Sequence, residues 1–221
     1  VRSRRQRQMC IRDRYIKNPK KIESNSMDII APYLSDVTFT EGELPIVKRM
    51  IHTTGDVDYR HIIEFQNNFV ERAIAAMKKG GKIYADTNMI TAGVNKPALE
   101  KANIEVFTCV SDEDVRKIAK EKEITRSMAA IDKAINDGVT MFAFGNAPTA
   151  LFRLIEHIKA GDISPDFIIG VPVGFVGAAE SKEELSTVEV PFVRTNGSKG
   201  GSNVAVSVIN ALLYSFIERD F

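Results

Sequence analysis

The feature that most constrains this chain is the regular alternation of short apolar runs with helical patterns after Gly80. Apolar runs of four to six residues predict buried strands, and apolar residues at i, i+3 and i+4 predict the helices between them. The predicted strands are 82–85, 104–108, 139–144, 167–171 and 190–194, and the predicted helices are 111–120, 126–136, 148–159, 178–185 and 202–217. Strict alternation of this kind implies parallel strands joined by right-handed crossovers, with helices on both faces. We therefore predict an α/β fold: a doubly wound, mostly parallel five-stranded sheet in a three-layer α/β/α arrangement.

The stretch before this alternation is predicted to be helical, in segments at about 22–34, after residue 40, and at 69–77. Thr40 with Glu43 three residues later is the pattern of a capping box, and Gly55 marks the end of the helix that follows it. His52 then lies in the last turn, on the same face as Arg49. The negative end of the helix dipole stabilises an imidazolium there, which favours a proton donor. The alternative is a histidine that only caps the helix.

Polar and glycine residues follow the predicted strands at the edge where doubly wound sheets bind ligands. Asn88 follows the first strand, Asn146 the third, Gly174 the fourth, and the segment 195–202 the fifth. Helix N-termini after Asn146 and Gly201 would offer backbone N–H groups to carboxylates or phosphates. The alternative for each is a tight connecting loop. Neither a P-loop nor a G-x-G-x-x-G sequence is present, so nucleotide binding is poorly supported.

The length of 221 residues suits one domain, which we place at 15–221. The preceding leader, residues 1–14, holds six arginines and one aspartate, so the remaining chain carries a net charge of −4 although the whole sequence carries +1. This mildly acidic domain argues against a nucleic-acid partner. We interpret the leader as non-native or disordered, with a basic arm or a mitochondrial-type presequence as alternatives. It lacks the apolar stretch of a secretion signal.

The cysteine and histidine content predicts neither disulfides nor a metal site. One of the two cysteines lies in the leader, and Cys109 ends an apolar run, as expected of a small core residue in a reducing compartment. His61 and His157 have no ligand-like spacing to His52 and are expected to be structural or solvent-facing. No apolar run reaches the ~18 residues of a membrane span, so we expect no membrane association and a cytoplasmic location.

Three separated motifs, in a compatible order and spacing, together resemble the precorrin-8X methylmutase family of corrin biosynthesis. They are RMIHTTGD at 49–56, GNAPTAL at 145–151 and GVPVGFVGAAESK at 170–182, and the resemblance runs from about 15 to 216. It implies a flavodoxin-like sheet of order 2-1-3-4-5 and an isomerase of cobalamin biosynthesis. The implied reaction is migration of a methyl group from C-11 to C-12 of precorrin-8X or cobalt-precorrin-8, giving hydrogenobyrinate or cobyrinate. His52 would be the general acid, and no cofactor would be needed.

A precorrin is a large flat ring with acetate and propionate arms, so its site is expected to combine anion donors with apolar walls. Predicted wall residues are Val171, Val173, Phe175 and Val176. The predicted substrate-binding residues, some of them carried over from the resemblance, are Arg49, Asn88, Arg126, Ser127, Asn146, Thr149, Gly174, Lys199, Gly200 and Gly201. Ser198 departs from the arginine that is usual in the family, so that cationic contact is not expected.

The size of the ring also predicts a homodimer with substrate bound where two subunits meet, because one strand-end crevice is too small for it. Met50, Phe65, Phe69 and Phe175 are more apolar residues than such a crevice needs, although core packing is the alternative for them. The family resemblance also implies a dimer. Two other functions remain open: a non-catalytic flavodoxin-like domain that binds a carboxylated or phosphorylated ligand, and a different enzyme on the same fold.

Overall fold

The computed structural model describes residues 16–218, and the predicted leader, residues 1–14, lies outside that range. The α-helices of the described chain are α1 (Pro19–Ile30), α2 (Leu44–Thr54), α3 (Phe69–Met77), α4 (Asn88–Gly93), α5 (Lys96–Ala102), α6 (Glu113–Glu121), α7 (Arg126–Asn136), α8 (Pro148–Ala160), α9 (Ala178–Leu185) and α10 (Ser202–Tyr214). The strands are β1 (Ile63–Gln66), β2 (Gly81–Ala85), β3 (Ile104–Phe107), β4 (Met141–Phe144), β5 (Phe167–Gly170) and β6 (Phe192–Thr195). Short 3₁₀ helices occupy Ala31–Leu34 and Val57–His61.

The strands form one six-stranded sheet of order β1-β6-β5-β4-β2-β3. Strands β2 to β6 are parallel and lie in the predicted order 2-1-3-4-5, so the doubly wound fold is confirmed. The predicted number of five strands is wrong, because β1 adds an antiparallel edge strand beside β6. Its four residues include Glu64 and Gln66, and so short an edge strand carries no continuous apolar run that the sequence could reveal.

Alternate residues of the parallel strands feed two separate cores, one on each face of the sheet. Ile83 and Ala85 of β2 pack on one face with buried residues of α2, α3, α4, α5 and α10. Tyr84, between them, packs on the other face with α6, α7, α8 and α9. Both faces are therefore covered, as a parallel sheet requires. Within residues 16–218, no helix is both long enough and apolar enough to cross a membrane.

The start of α2 follows from the predicted capping box. The Thr40 backbone N–H donates to Oε2 of Glu43 at 2.8 Å, and the Glu43 N–H donates to Oγ1 of Thr40 at 3.3 Å. The helix ends at Gly55, whose φ of 66° is left-handed. Val47 and Ile51 are buried, as the apolar stripe predicts. The capping box therefore sets where α2 begins, and with it which residues of the helix face the core and which face solvent.

Helices α4 and α5 were missed in the sequence, between the first two parallel strands. Each begins with a side-chain cap: Thr87 accepts the Ile90 N–H at 3.4 Å, and Asn95 accepts the Ala98 N–H at 3.0 Å. They have only six and seven residues, which is too short for a helical period to stand out. Together they carry the crossover from β2 to β3 over the face that also holds α10.

Candidate active site

The loops after β4, β5 and β6 are hydrogen-bonded into one surface at the carboxyl edge of the sheet. The Val173 N–H donates to the Gly145 carbonyl at 3.2 Å, and the Gly174 N–H donates to the Ser198 carbonyl at 3.1 Å. A Cβ on Gly145 would lie 2.6 Å from Cα of Ser202, so only glycine fits where the first loop meets the last. Two of the three resemblance motifs thus lie side by side.

The glycine loop, residues 198–201, packs tightly against the end of β5. The Gly201 N–H donates to the Val171 carbonyl at 2.9 Å, and a Cβ on Gly200 would lie 2.2 Å from the same oxygen. Gly201 has a φ of 134°, a conformation that other residues avoid. Close packing and backbone conformation explain why glycine occupies positions 200 and 201, and the predicted contact of these two residues with substrate stays a prediction.

Asp86 occupies the helix N-terminus that was predicted to be open for an anion. Its carboxylate is buried at the end of β2 and accepts the backbone N–H groups of Gly145, Asn146 and Ala147 at 2.9, 2.7 and 2.6 Å. Burial raises the pKa of the Asp86 carboxyl, while the three N–H donors act in the opposite direction. The Ala147 N–H, which was predicted to be free for substrate at this helix start, is taken by the protein's own carboxylate.

Lys199 joins the glycine loop to the segment that follows α2. Its ammonium forms an ion pair with Asp56 and lies 5.8 Å from the ring centroid of Tyr59. The hydrogen bond from Lys199 lowers the pKa of Asp56, and the same bond raises the pKa of Lys199. Lys199 is about half exposed, so it remains available at the surface. The end of the His52 helix and the glycine loop are thus neighbours.

His52 is exposed at the last turn of α2. It lines a pocket of about 220 Å³ together with Ile29 and Ile30 of α1 and Val57 after α2. Asp56, four residues further on, carries the contact with Lys199. The imidazole is therefore free of the core and close in sequence to the residue that reaches the glycine loop.

Arg49 has surroundings different from those of His52, although the two were predicted to share a face. Its guanidinium is paired with Glu23 of α1 and lies 4.8 Å from the ring centroid of Tyr214 in α10. It lines a pocket of about 430 Å³ between α1, α2 and α10, and also a pocket of about 280 Å³ beside Met89 of α4. The structure therefore places Arg49 beside α4 and α10 rather than in the pocket of His52.

Arg126, Ser127 and Thr149 lie together at two neighbouring helix starts. Oγ1 of Thr125, which caps α7, is 3.2 Å from Oγ1 of Thr149 in the first turn of α8. Arg126 is exposed directly after that cap, and Ser127 is half-buried. Asn146, just before α8, is exposed as well. These four predicted residues therefore form one group at the carboxyl edge of the sheet.

Large apolar side chains are exposed along this edge. Phe175 is 96% exposed and Val176 is 89% exposed in the loop after β5, and Met89 is 69% exposed beside Asn88. Val173 is also exposed. Three of the four predicted wall residues are therefore at the surface. The fourth, Val171, is fully buried, so its prediction as a wall residue is wrong.

Two of the apolar residues that suggested a shared site belong to the core. Met50 and Phe69 are buried on the face that α2 and α3 cover. Phe65 is half-buried, and its ring packs against Phe39 and Phe69 at centroid distances of 6.1 and 6.0 Å. Core packing explains these three, and Phe175 alone remains exposed.

Lys182 is a residue at this edge that the sequence reasoning missed. Its side chain is fully buried under the glycine loop, where Nζ donates to the Lys199 carbonyl at 2.8 Å and to Oγ1 of Thr195 at 3.3 Å. Burial, and then the charge of Arg194, lowers the pKa of Lys182 to about 8. Its spacing held the signal, because Lys182 is four residues after Ala178 and three before Leu185, on the inner face of α9.

The remaining titratable candidates have structural surroundings. His157 lies between Asp162, 2.7 Å from Nδ1, and Asp132, 2.9 Å from Nε2. Cys109 is buried, as predicted, and burial raises the pKa of its thiol to about 11. Within residues 16–218, no three His, Cys, Asp or Glu side chains are grouped to hold a metal ion.

Comparison with known proteins gives consistent similarities over most of the chain. The profile of the family described as precorrin-8X methylmutase matches residues 21–215. The cobalt-precorrin-8 methylmutase of Salmonella typhimurium is 44% identical over 211 residues, which cover 92% of this chain and 99% of that protein. The enzyme of the same name from Priestia megaterium is 42% identical over 195 residues, 88% of this chain and 87% of that protein. A crystal structure of precorrin-8X methylmutase from Thermus thermophilus superposes with a TM-score of 0.80 at 34% identity, covering 87% of this chain and 96% of that one.

Proposed function

Because the chain belongs to the precorrin-8X methylmutase family, isomerases of cobalamin biosynthesis, we propose that it moves a methyl group from C-11 to C-12 of the tetrapyrrole. The product is hydrogenobyrinate from precorrin-8X or cobyrinate from cobalt-precorrin-8. The observation that carries this proposal is the carboxyl edge of the sheet. There the loops that hold the family's motifs are hydrogen-bonded together and bordered by exposed cations and exposed apolar side chains.

The proposed chemistry is a [1,5]-sigmatropic methyl shift assisted by a proton from His52. A donor that withdraws electron density from the conjugated ring lowers the barrier, and general acid catalysis contributes typically ~10²–10⁴-fold. An apolar surface that holds the ring in one geometry contributes further by orientation. His52 suits this role because it is exposed and its helix end lies beside the glycine loop.

The acetate and propionate arms of the substrate are proposed to bind at the cationic and polar residues of the same edge. Arg126 and Lys199 are exposed there and supply charge-assisted contacts. Asn88, Ser127, Asn146, Thr149 and the glycines 174, 200 and 201 provide shorter-range polar or backbone contacts. Arg49 is proposed to act through the pocket beside Met89 rather than beside His52.

The active unit is proposed to be a homodimer in which the second copy completes the apolar wall. Phe175 and Val176 project from the loop after β5 with almost their whole side chains exposed. Exposed aromatic and aliphatic residues together on one edge are typical of a binding or association surface. A second copy would cover them and enclose a flat ring that one chain leaves open.

The direct test is turnover of both substrate forms, followed by the change in the visible spectrum and by chromatography of the product. The names of the two relatives favour cobalt-precorrin-8, so we expect faster turnover of the cobalt form. Conversion of neither form, together with binding of hydrogenobyrinate, would indicate a non-catalytic binding domain. A preference for nucleotides without corrinoid binding would indicate a different enzyme on this fold.

A further inference from the structure

Lys182 is a buried cation for which the proposed reaction has no direct use. Its ammonium is fully buried, and its hydrogen-bond partners in the described chain are the Lys199 carbonyl and the Thr195 hydroxyl. Neither partner is a carboxylate. Lysine is rarely buried in this way, since removing a charge from water without an opposite charge is costly. Such a cost calls for a role other than packing.

The nearby cations differ from Lys182 in having carboxylates of their own. Arg194 donates to Glu64 at 2.7 Å, and Lys199 is paired with Asp56. On the outer side of α9, Lys159 is paired with Glu184. Among the described residues around the glycine loop, Lys182 therefore adds a positive charge that no adjacent carboxylate neutralises.

The contacts of Lys182 also set the orientation of the loop peptides. Nζ and the Thr195 hydroxyl both hold the Lys199 carbonyl inward, at 2.8 and 2.7 Å. Because a trans peptide is planar, the N–H of Gly200 points the opposite way, toward the hydroxyl of Tyr59. The Gly174 N–H likewise holds the Ser198 carbonyl and turns the Lys199 N–H outward. The outward N–H of Lys199, together with the half-exposed ammonium of the same residue, suits a carboxylate.

We infer that Lys182 is a positioning residue for substrate binding: it fixes the Lys199–Gly200 peptide and places the positive charge of its ammonium beneath a site for a carboxylate arm. The inference rests on the proposed function, because it takes the carboxylated corrinoid as the ligand. Lys182 does not touch the substrate, since the loop covers it completely. It acts through the backbone that it holds.

The test uses hydrogenobyrinate as the probe and compares wild type with Lys182→Met and a control, Lys159→Met. Methionine fills similar space without charge, and apolar replacement of a buried charge is commonly tolerated. We expect Lys182→Met to keep or raise the melting temperature and to bind hydrogenobyrinate at least about tenfold more weakly, which equals about 1.4 kcal/mol. Lys159→Met, on an outer surface, is expected to keep both properties.

A pH series separates a charge effect from a packing effect. With the pKa of Lys182 lowered to about 8, wild-type affinity is expected to fall between about pH 7 and about pH 9 as the ammonium loses its proton. Lys182→Met is expected to show no such fall. Arg194 on β6, Glu64 on β1, and Lys199 with Asp56 at the loop also face this region, and the comparison of the two proteins separates Lys182 from them.

Equal affinity in wild type and Lys182→Met, or the same fall with pH in both, would overturn the inference and leave the proposed function standing. If Lys182→Met does not fold, the wild-type series decides alone, and constant affinity across that pH range overturns the inference. Wild-type protein that does not bind hydrogenobyrinate at all would overturn the proposed function and this inference together.

Discussion

His52 lies on the exposed side of the last turn of α2, away from the apolar stripe that holds the helix in place. We expect His52→Ala to fold normally, because the change removes no buried contact. Turnover of the substrate is expected to fall by about 10²–10⁴-fold, the usual contribution of a general acid. Steady-state assays beside thermal melts of the purified variant measure both effects.

The matched control for this variant is His61→Ala. His61 is also exposed, and its imidazole is 3.7 Å from the Asp36 carboxylate. We expect wild-type turnover from the control. Near wild-type turnover from His52→Ala would instead remove His52 from the mechanism and return it to the role of a helix-capping residue.

Lys182 predicts an unusual pH dependence of stability. Its pKa in the folded protein is about 8, below its ordinary 10.5, so between these values the unfolded chain binds more protons than the folded chain. The free energy of unfolding therefore increases as pH rises through this window. Below about pH 8 the buried Lys182 is charged, and the folded protein carries the full cost of burying that charge. Lys182→Met removes the penalty.

We expect the variant to be more stable than wild type below about pH 8, by no more than about 3.4 kcal/mol, since the pKa is lowered from 10.5 to about 8 and one pKa unit corresponds to about 1.36 kcal/mol. The gap should close as pH rises toward about 10.5. Urea unfolding at several pH values measures it. A gap that does not change with pH would show that the pKa of Lys182 is the same in the folded and unfolded chains, so that its burial does not shift its protonation.

At the scale of elements, the edge strand β1 explains how α2 reaches the ligand-binding edge. An antiparallel strand starts where its neighbour ends, so Ile63 pairs with Thr195 at the carboxyl end of β6. The Asn196 N–H donates to the Ile62 carbonyl at 2.7 Å and continues the same ladder. The segment from Gly55 to Ile62, and with it the end of α2, is therefore held beside the glycine loop.

Glu64→Pro tests this role of β1. In an antiparallel pair, every second pair of opposite residues is hydrogen-bonded through the backbone. Because Ile62 is bonded to Asn196, the next bonded pair is Glu64 with Arg194, and the Glu64 N–H is a donor in it. Proline removes that donor, so we expect β1 to detach and turnover to fall by up to about 100-fold through misplacement of His52. Turnover and near-ultraviolet circular dichroism measure the result.

Glu64→Ala is the control for the proline variant, because it removes the carboxylate that pairs with Arg194 but keeps the backbone donor. It is expected to retain most of the turnover that Glu64→Pro loses. Equal losses in the two variants would assign the effect to the ion pair and would contradict the positioning role of the strand.

At the scale of the whole molecule, the exposed residues of the loop after β5 predict a dimer. Phe175→Ser is expected to weaken self-association, since burying a phenylalanine contributes about 1.5–3 kcal/mol. Light scattering across a dilution series, with turnover measured at the same concentrations, gives the test. We expect turnover per chain to decrease on dilution, as the dimer dissociates. In the variant this decrease is expected to begin at a higher protein concentration than in wild type.

A fully active monomer would contradict the shared site. It would place the whole pocket within one chain and leave Phe175 and Val176 as the wall for substrate alone. The control is Ile22→Ser, because Ile22 of α1 is also exposed but does not line the pocket of His52. It is expected to leave the effect of dilution on turnover unchanged.

The sequence by itself determined the elements whose signals are local. The period of the apolar runs after Gly80 fixed the five parallel strands and the helices between them, because each buried strand and helix must repeat its apolar residues along its own length. The capping box at Thr40 and the glycine at the end of α2 likewise fixed where His52 lies on its helix. The motifs also indicated the family, which the comparisons confirm.

Only the tertiary structure decided features that depend on which distant residues meet. Asp86 accepts hydrogen bonds from the backbone N–H groups before α8, although it lies 59 positions before Gly145 in the sequence. The sequence around either residue contains no signal that predicts this contact. Lys182 is buried because the loop after β6 folds over it. Strand β1 exists because β6 offers a free edge to four residues that have no strong pattern of their own. Local periodicity carries no information about such pairings, since their energies come from contacts that form when the chain is already folded.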